Sequence, residues 1–171
     1  HWEEARRQDP SSPEPWNDLA NHLIHNGRVR EAFVCFEKSL DLTPRAAVYF
    51  FDYANALLLY RTEAMSHYRL TEAEVFDRVL TNCRRGLKLE PESFAFAVQL
   101  AQNYYVVKPA RPAEGLAAWE HAFQLAQNDT QRDEARTHLA RYAIQAGRFG
   151  VARVHLDPFV VQAHHLRLQV G

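Results

Sequence analysis

Residues 16–44 read WNDLANHLIHNGRVREAFVCFEKSLDLTP, from Trp16 to Pro44. Trp16, Leu19, Ala20 and Leu23 recur at spacings of three and four before Gly27. After it Val29, Ala32, Phe33, Phe36 and Leu40 do the same. Each set lies on one face of a helix. Gly27 supplies a turn between the two, and Pro44 closes the unit because proline cannot continue an amide ladder. Small Ala20 and Ala32 allow the two helices to approach, and Trp16 and Phe36 fill the space that remains.

The order Trp16, Leu19-Ala20, Leu23, Gly27, Ala32, Phe36, Ser39, Pro44 resembles the tetratricopeptide repeat, a helix pair with a period of about 34 residues. Leu139, Ala140, Gly147 and Ala152 each lie 120 residues after Leu19, Ala20, Gly27 and Ala32, which repeats the pattern within the chain. The resemblance implies an all-α chain: a right-handed superhelical α-solenoid of antiparallel helix pairs, with a C-terminal capping helix. The whole chain, 1–171, is expected to form a single domain of this kind.

The expected units run in order. Residues 1–10 form a partial repeat or cap, because Trp2, Ala5 and Pro10 keep the mutual spacing of Phe36, Ser39 and Pro44. Repeat 1 covers 13–46, with Ser12 as its cap and Pro13 at the first helical position. Repeat 2 covers 47–93 and carries an insertion at about 59–74, since Pro91 follows Pro44 too late for one period. An extended first helix, a short link near His67 to Leu70, and a restart at Thr71 are expected. Thr71-Glu72-Ala73-Glu74 fits a capping box. Repeat 3 covers 94–128, with Lys108 to Pro112 in place of the glycine turn. Gly86 and Gly115, where alanine or serine is usual, are expected to loosen local packing. Asn128-Asp129-Thr130 punctuates the chain, and repeat 4 covers 130–157. Residues 158–171, with Phe159, Ala163, Leu166 and Val170 on one side, form the capping helix that an open stack needs.

Composition narrows the function. Lys and Arg number 20 against 21 Asp and Glu, for a net charge of -1. A neutral chain offers no basic surface for nucleic acid or for an anionic membrane. No apolar run approaches the ~18 residues of a membrane span. Cys35 and Cys83 are too few for a disulfide framework and fall near the packing stripes, as buried free thiols. The first residue is His1 rather than Met, which implies a processed or excised chain and leaves its compartment open.

No glycine-rich phosphate loop, nucleophile elbow or Cys–His pair occurs. His22 and His25 share a helix face, and His164-His165 are adjacent, but neither pair has the further ligand that zinc requires. The chain is therefore read as non-enzymatic, without metal or cofactor.

In tetratricopeptide proteins the first helix of each pair lines a concave face that grips a peptide. By that resemblance Asn21, Asn55, Gln102 and Arg141 lie in register along the groove. Side-chain amides can both give and take a bond with a peptide backbone. Asn17 and Phe51 lie one turn before them, and His25, Leu59 and Tyr105 one turn after. The expected groove is thus Asn17, Asn21, His25, Phe51, Asn55, Leu59, Gln102, Tyr105 and Arg141, with a protein or peptide partner. Relatives that clamp a chaperone's terminal carboxylate use lysine, asparagine and arginine at set positions. Asn21 matches one, but Asn17, Asp52, Ala95 and Gln99 stand at the others. Asp52 would repel a carboxylate, so no such clamp is expected. Two rival readings are a self-assembling scaffold, a homo-oligomer joined through Trp2, Phe159 and Leu166 at the ends, and an accessory segment of a larger enzyme or membrane protein.

Overall fold

Two glycines 120 residues apart make the same turn. Gly27 has φ +72° and Gly147 φ +69°, in the left-handed region where a side chain is strained. Arg28 N–H donates back to Leu23 O at 2.9 Å, and Arg148 N–H to Ala143 O at 2.7 Å. The internal repeat read from the sequence is therefore a repeat of backbone geometry.

The structure, a computed structural model, describes residues 12–156. The partial repeat at 1–10 and the capping helix at 158–171, with Trp2, Phe159 and Leu166, lie outside the described residues. Within them the order is α1 (Glu14–His25), α2 (Val29–Leu42), α3 (Ala47–Leu59), α4 (Arg61–Tyr68), α5 (Glu72–Leu89), α6 (Phe94–Asn103), α7 (Pro112–Leu125) and α8 (Asp129–Gln145). A further helical segment occupies 149–156, and no strand occurs among the described residues. The chain is an all-α helical repeat fold.

Of the described residues, 12–91 with Val107–Pro109 form one compact unit, and Glu92–Val106 with 110–156 form a second. In the first unit α1 pairs with α2 and α3 pairs with α5. Ala20, Ala32, Phe33, Phe36, Ala54, Leu57, Val75, Val79 and Leu80 are buried there. The free thiols of Cys35 and Cys83 are buried as well. In the second unit α7 packs against both α6 and α8, around Trp119, Ala122, Ala135, Leu139 and Tyr142.

Local signals account for most boundaries. α5 starts with a complete capping box: Glu74 N–H donates to Thr71 Oγ1, and Thr71 N–H donates to Glu74 Oε2 at 2.7 Å. Asn128 caps α8 by accepting from Gln131 N–H at 3.0 Å. Two boundaries differ from expectation. α1 starts at Glu14, after Pro13, whose carbonyl accepts from Trp16 and Asn17. The insertion does not simply extend α3. The helix stops at Leu59, turns at Tyr60, and begins again as the separate helix α4.

α4 is docked rather than splayed. Tyr68, its last residue, shares a hydrogen bond with the Tyr53 hydroxyl at 2.8 Å. The Arg78 guanidinium lies 4.0 Å from the centre of the Tyr68 ring and donates to Glu37 Oε1 at 2.5 Å. Phe33 packs against both His67 and Tyr68. The phenols of buried Tyr53 and half-buried Tyr68 are pushed far above their ordinary range, first by burial, and stay protonated.

Gly86 and Gly115 do not loosen the packing as expected; they admit rings. A Cβ at 86 would stand 2.7 Å from Phe51 Cε2, and one at 115 would stand 2.2 Å from Tyr142 Cε1. Gly115→Ala is expected to destabilise the chain by about 1–2 kcal/mol in urea unfolding. Overpacking costs about 1–3 kcal/mol, which outweighs the ~1 kcal/mol that alanine gains in helix propensity.

Candidate functional site

In the first unit, one face of α1 carries Glu14, Asp18, Asn21 and His25, all within one stripe because their spacings are three, four and seven. The matching stripe of α3 carries Val48, Asp52, Asn55 and Leu59. Asp52 is the centre of this surface. Its Oδ2 accepts from Asn17 Nδ2 at 2.8 Å and from Asn21 Nδ2 at 3.5 Å, which ties α1 to α3. Asn17 is buried beneath it, and the Asn17 Oδ1 has no donor. Val48 and Leu59 are exposed, Leu59 by 74%. Tyr49, on the same helix, has its phenol held above the usual range by burial first, then by Glu14, Asp18 and Asp52.

The nine residues singled out from the sequence are placed differently from one another. Asn21 and Asn55 are half-buried on this surface, and His25 and Leu59 are exposed at its far end. Asn17 is a buried amide that serves Asp52. Phe51 is buried, 2% exposed, in the slot that Gly86 leaves open, and its ring belongs to the core.

In the second unit Gln102 and Arg141 are exposed and Tyr105 is half-buried. The Arg141 guanidinium lies 4.7 Å from the Tyr105 ring centre. The Tyr105 hydroxyl meets His138 Nδ1 at 2.9 Å, and His138 stacks on Trp119 with ring centres 4.4 Å apart. The sequence reading passed over Asp52 as a contact, Glu14, Asp18 and His138. The acids were visible as a four-residue spacing on α1 and as a carboxylate three residues before Asn55.

His138 and His155 are both held below the ordinary imidazole range, chiefly by burial; Glu134 partly offsets this for His138, as does Glu120 for His155. The fold therefore favours the neutral rings. That contribution is complete above about pH 6.5, the unfolded value, and is lost as pH falls through the lower folded values. The urea midpoint is expected to drop between pH 7 and pH 5. His138→Gln is expected to remove part of that drop.

Among the described residues no three His, Cys, Asp or Glu side chains stand together as a metal site, and no helix is long and apolar enough to cross a membrane. Each of the two surfaces presents hydrogen-bonding side chains and charge, and the first also presents exposed Val48 and Leu59.

No family model matches the sequence, and no curated protein matches it. Solved structures do match in fold. MamA (41-end) from Desulfovibrio magneticus RS-1 is 17% identical with a TM-score of 0.67, over 96% of this chain and 82% of that one. A thermophilic TPR protein in Thermus thermophilus, TTC0263, is 21% identical with a TM-score of 0.57, over 99% of this chain and 84% of that one. The first TPR of Spaghetti (RPAP3), bound to the HSP90 peptide SRMEEVD, is 16% identical with a TM-score of 0.57, over 81% and 96%.

Proposed function

From a fold shared with tetratricopeptide proteins, we propose that this chain is a non-catalytic protein–protein interaction module that binds a peptide or protein segment through the first helices of its pairs, α1 and α3 in the first unit and, in the second unit taken by itself, α6 and α8. The observation that carries this reading is the composition of the α1–α3 surface: half-buried amides and a carboxylate between two helices, flanked by exposed Val48 and Leu59. Amides hold a peptide backbone with little regard to its side chains, and exposed apolar residues add one or two anchors. Asn21, Asn55, His25 and Leu59 are the proposed contacts in the first unit, and Gln102, Tyr105 and Arg141 in the second. A groove of this kind binds in the micromolar range, roughly -8 kcal/mol.

The test is capture from the source lysate by the intact chain and by an Asn21→Ala/Asn55→Ala/Gln102→Ala variant, after circular dichroism shows that both fold. The proposal expects a partner that the intact chain holds and the variant loses. A partner held equally by both would place binding elsewhere. The cavity of about 520 Å³ in the first unit, lined by Glu37, Asp41, Asp77, Arg78 and Arg85, would be the next surface to alter.

A further inference from the structure

The α1–α3 surface is acidic and short of donors. Neither α1 nor α3 contains a lysine or an arginine. Glu14 and Asp18 on α1 and Asp52 on α3 all act on the Tyr49 phenol, and no cation offsets them there. Asp52 receives both of its amide bonds on one oxygen, Oδ2; its Oδ1 has no donor among the described residues. Asn17 supplies an observation independent of the acids. Its side chain is 5% exposed, its Nδ2 is committed to Asp52, and its Oδ1 has no donor. The amide that carries this oxygen is held on Asp52 through its Nδ2. Buried acceptors are paired in about nine cases of ten. An unpaired buried amide oxygen, on a side chain that is itself bonded to a half-buried carboxylate, suits a group that brings several N–H donors and a positive charge.

We infer that the α1–α3 surface takes a lysine or arginine side chain of the bound segment, seated on Asp52 beside the Asn17 amide, with an aliphatic residue of the same segment against Leu59 or Val48. This rests on the peptide-binding reading and gives it a specificity. The same charges exclude an anionic residue or a terminal carboxylate at this place, since like charges in a half-buried site repel. Glu14 and Asp18 add attraction over a longer range, which salt screens.

The probe is a displayed library of random dodecapeptides, selected on the intact chain and on Asp52→Asn and read by sequencing. The inference expects Lys or Arg to be enriched at a fixed distance from an aliphatic residue on the intact chain and not on Asp52→Asn. A selected peptide should bind Asp52→Asn about tenfold more weakly, as expected for a charge-assisted hydrogen bond. Replacing its basic residue by alanine should cost about tenfold on the intact chain and little more on Asp52→Asn, because the two changes remove one interaction. Asp18→Asn, which disturbs no hydrogen bond, should weaken the same peptide by about twofold and reduce its salt dependence; it keeps the test valid should Asp52→Asn not fold. Peptides that bind without a basic preference, or losses that simply add, overturn the inference and leave the peptide-binding reading standing. A selection that yields nothing above an empty control removes that reading and this inference together.

Discussion

Trp119→Ala is expected to lower the unfolding free energy by about 3–5 kcal/mol, as large-to-small changes of buried aromatics do. Trp119 has no exposed surface and is the largest fully buried side chain among the described residues. It fills the junction of α7 with α6 and α8, where His138 stacks on it and Tyr105 lies 6.1 Å away, centre to centre. The indole is held by packing alone, because its buried Nε1 has no acceptor. That gives the prediction a second half. Trp119→Phe removes volume but also removes an unpaired N–H, whose burial costs about 1–3 kcal/mol. Its net cost should therefore stay below about 1.5 kcal/mol. Urea unfolding of Trp119→Phe reads this balance: a loss well above that figure would mean that the indole N–H has a partner.

Tyr68→Ala should cost about 2–4 kcal/mol, near the lower end for a large aromatic because the ring is only partly buried. The substitution removes the hydrogen bond to Tyr53, the ring under Arg78 and the contact with Phe33. Arg78 and Glu37 are left to each other at the edge of the cavity between α2 and α5. Without the Tyr68 ring, α4 keeps one buried residue, Ala64, the His67–Phe33 contact and the polar bonds Arg30–Ser66 and Arg61–Glu72. Exposed Arg61 and Arg69 bracket the helix, so trypsin should cut there at least tenfold faster than in the unaltered chain. Tyr68→Phe keeps the ring and should lose about 1 kcal/mol, the worth of one hydrogen bond. If Tyr68→Ala left both stability and proteolysis unchanged, the insertion would not be docked by this residue.

How much of this could be read from the sequence depends on where the cause lies. Gly27, Gly147, the Thr71–Glu74 box and the break at Asn128 act within a few residues of themselves, and all appear in the structure where the sequence put them. The break at Tyr60 has no such local cause. Leu57-Leu58-Leu59-Tyr60-Arg61 contains neither glycine nor proline, and nothing in it forbids a helix. The turn brings Tyr68 to Tyr53, Arg78 and Phe33, which come from three other helices. Phe51 shows the same limit at the site. Spacing alone placed it one turn from Asn55 on the open face. A glycine 35 residues later, in a different helix, opens the slot that draws the ring inward. A glycine in mid-helix is the available signal: it marks room for a neighbouring ring. Asp52 was read only as a reason against a carboxylate clamp. Its role as the common acceptor of Asn17 and Asn21 needs the register of α1 against α3, which no spacing within one helix supplies.

Binding through the first helices of the pairs, and not through their partners, is tested by where a bound peptide shifts amide resonances. The most direct measurement is a nitrogen–proton NMR titration of the labelled chain with a peptide selected on it. The shifted side-chain and backbone amides are expected to cluster at Asn21, Asn55 and Gln102, with neighbours at Asp52, Leu59, Tyr105 and Arg141. Shifts confined to α2, α5 or the inserted α4, around Glu37, Arg78 and Tyr68, would contradict it.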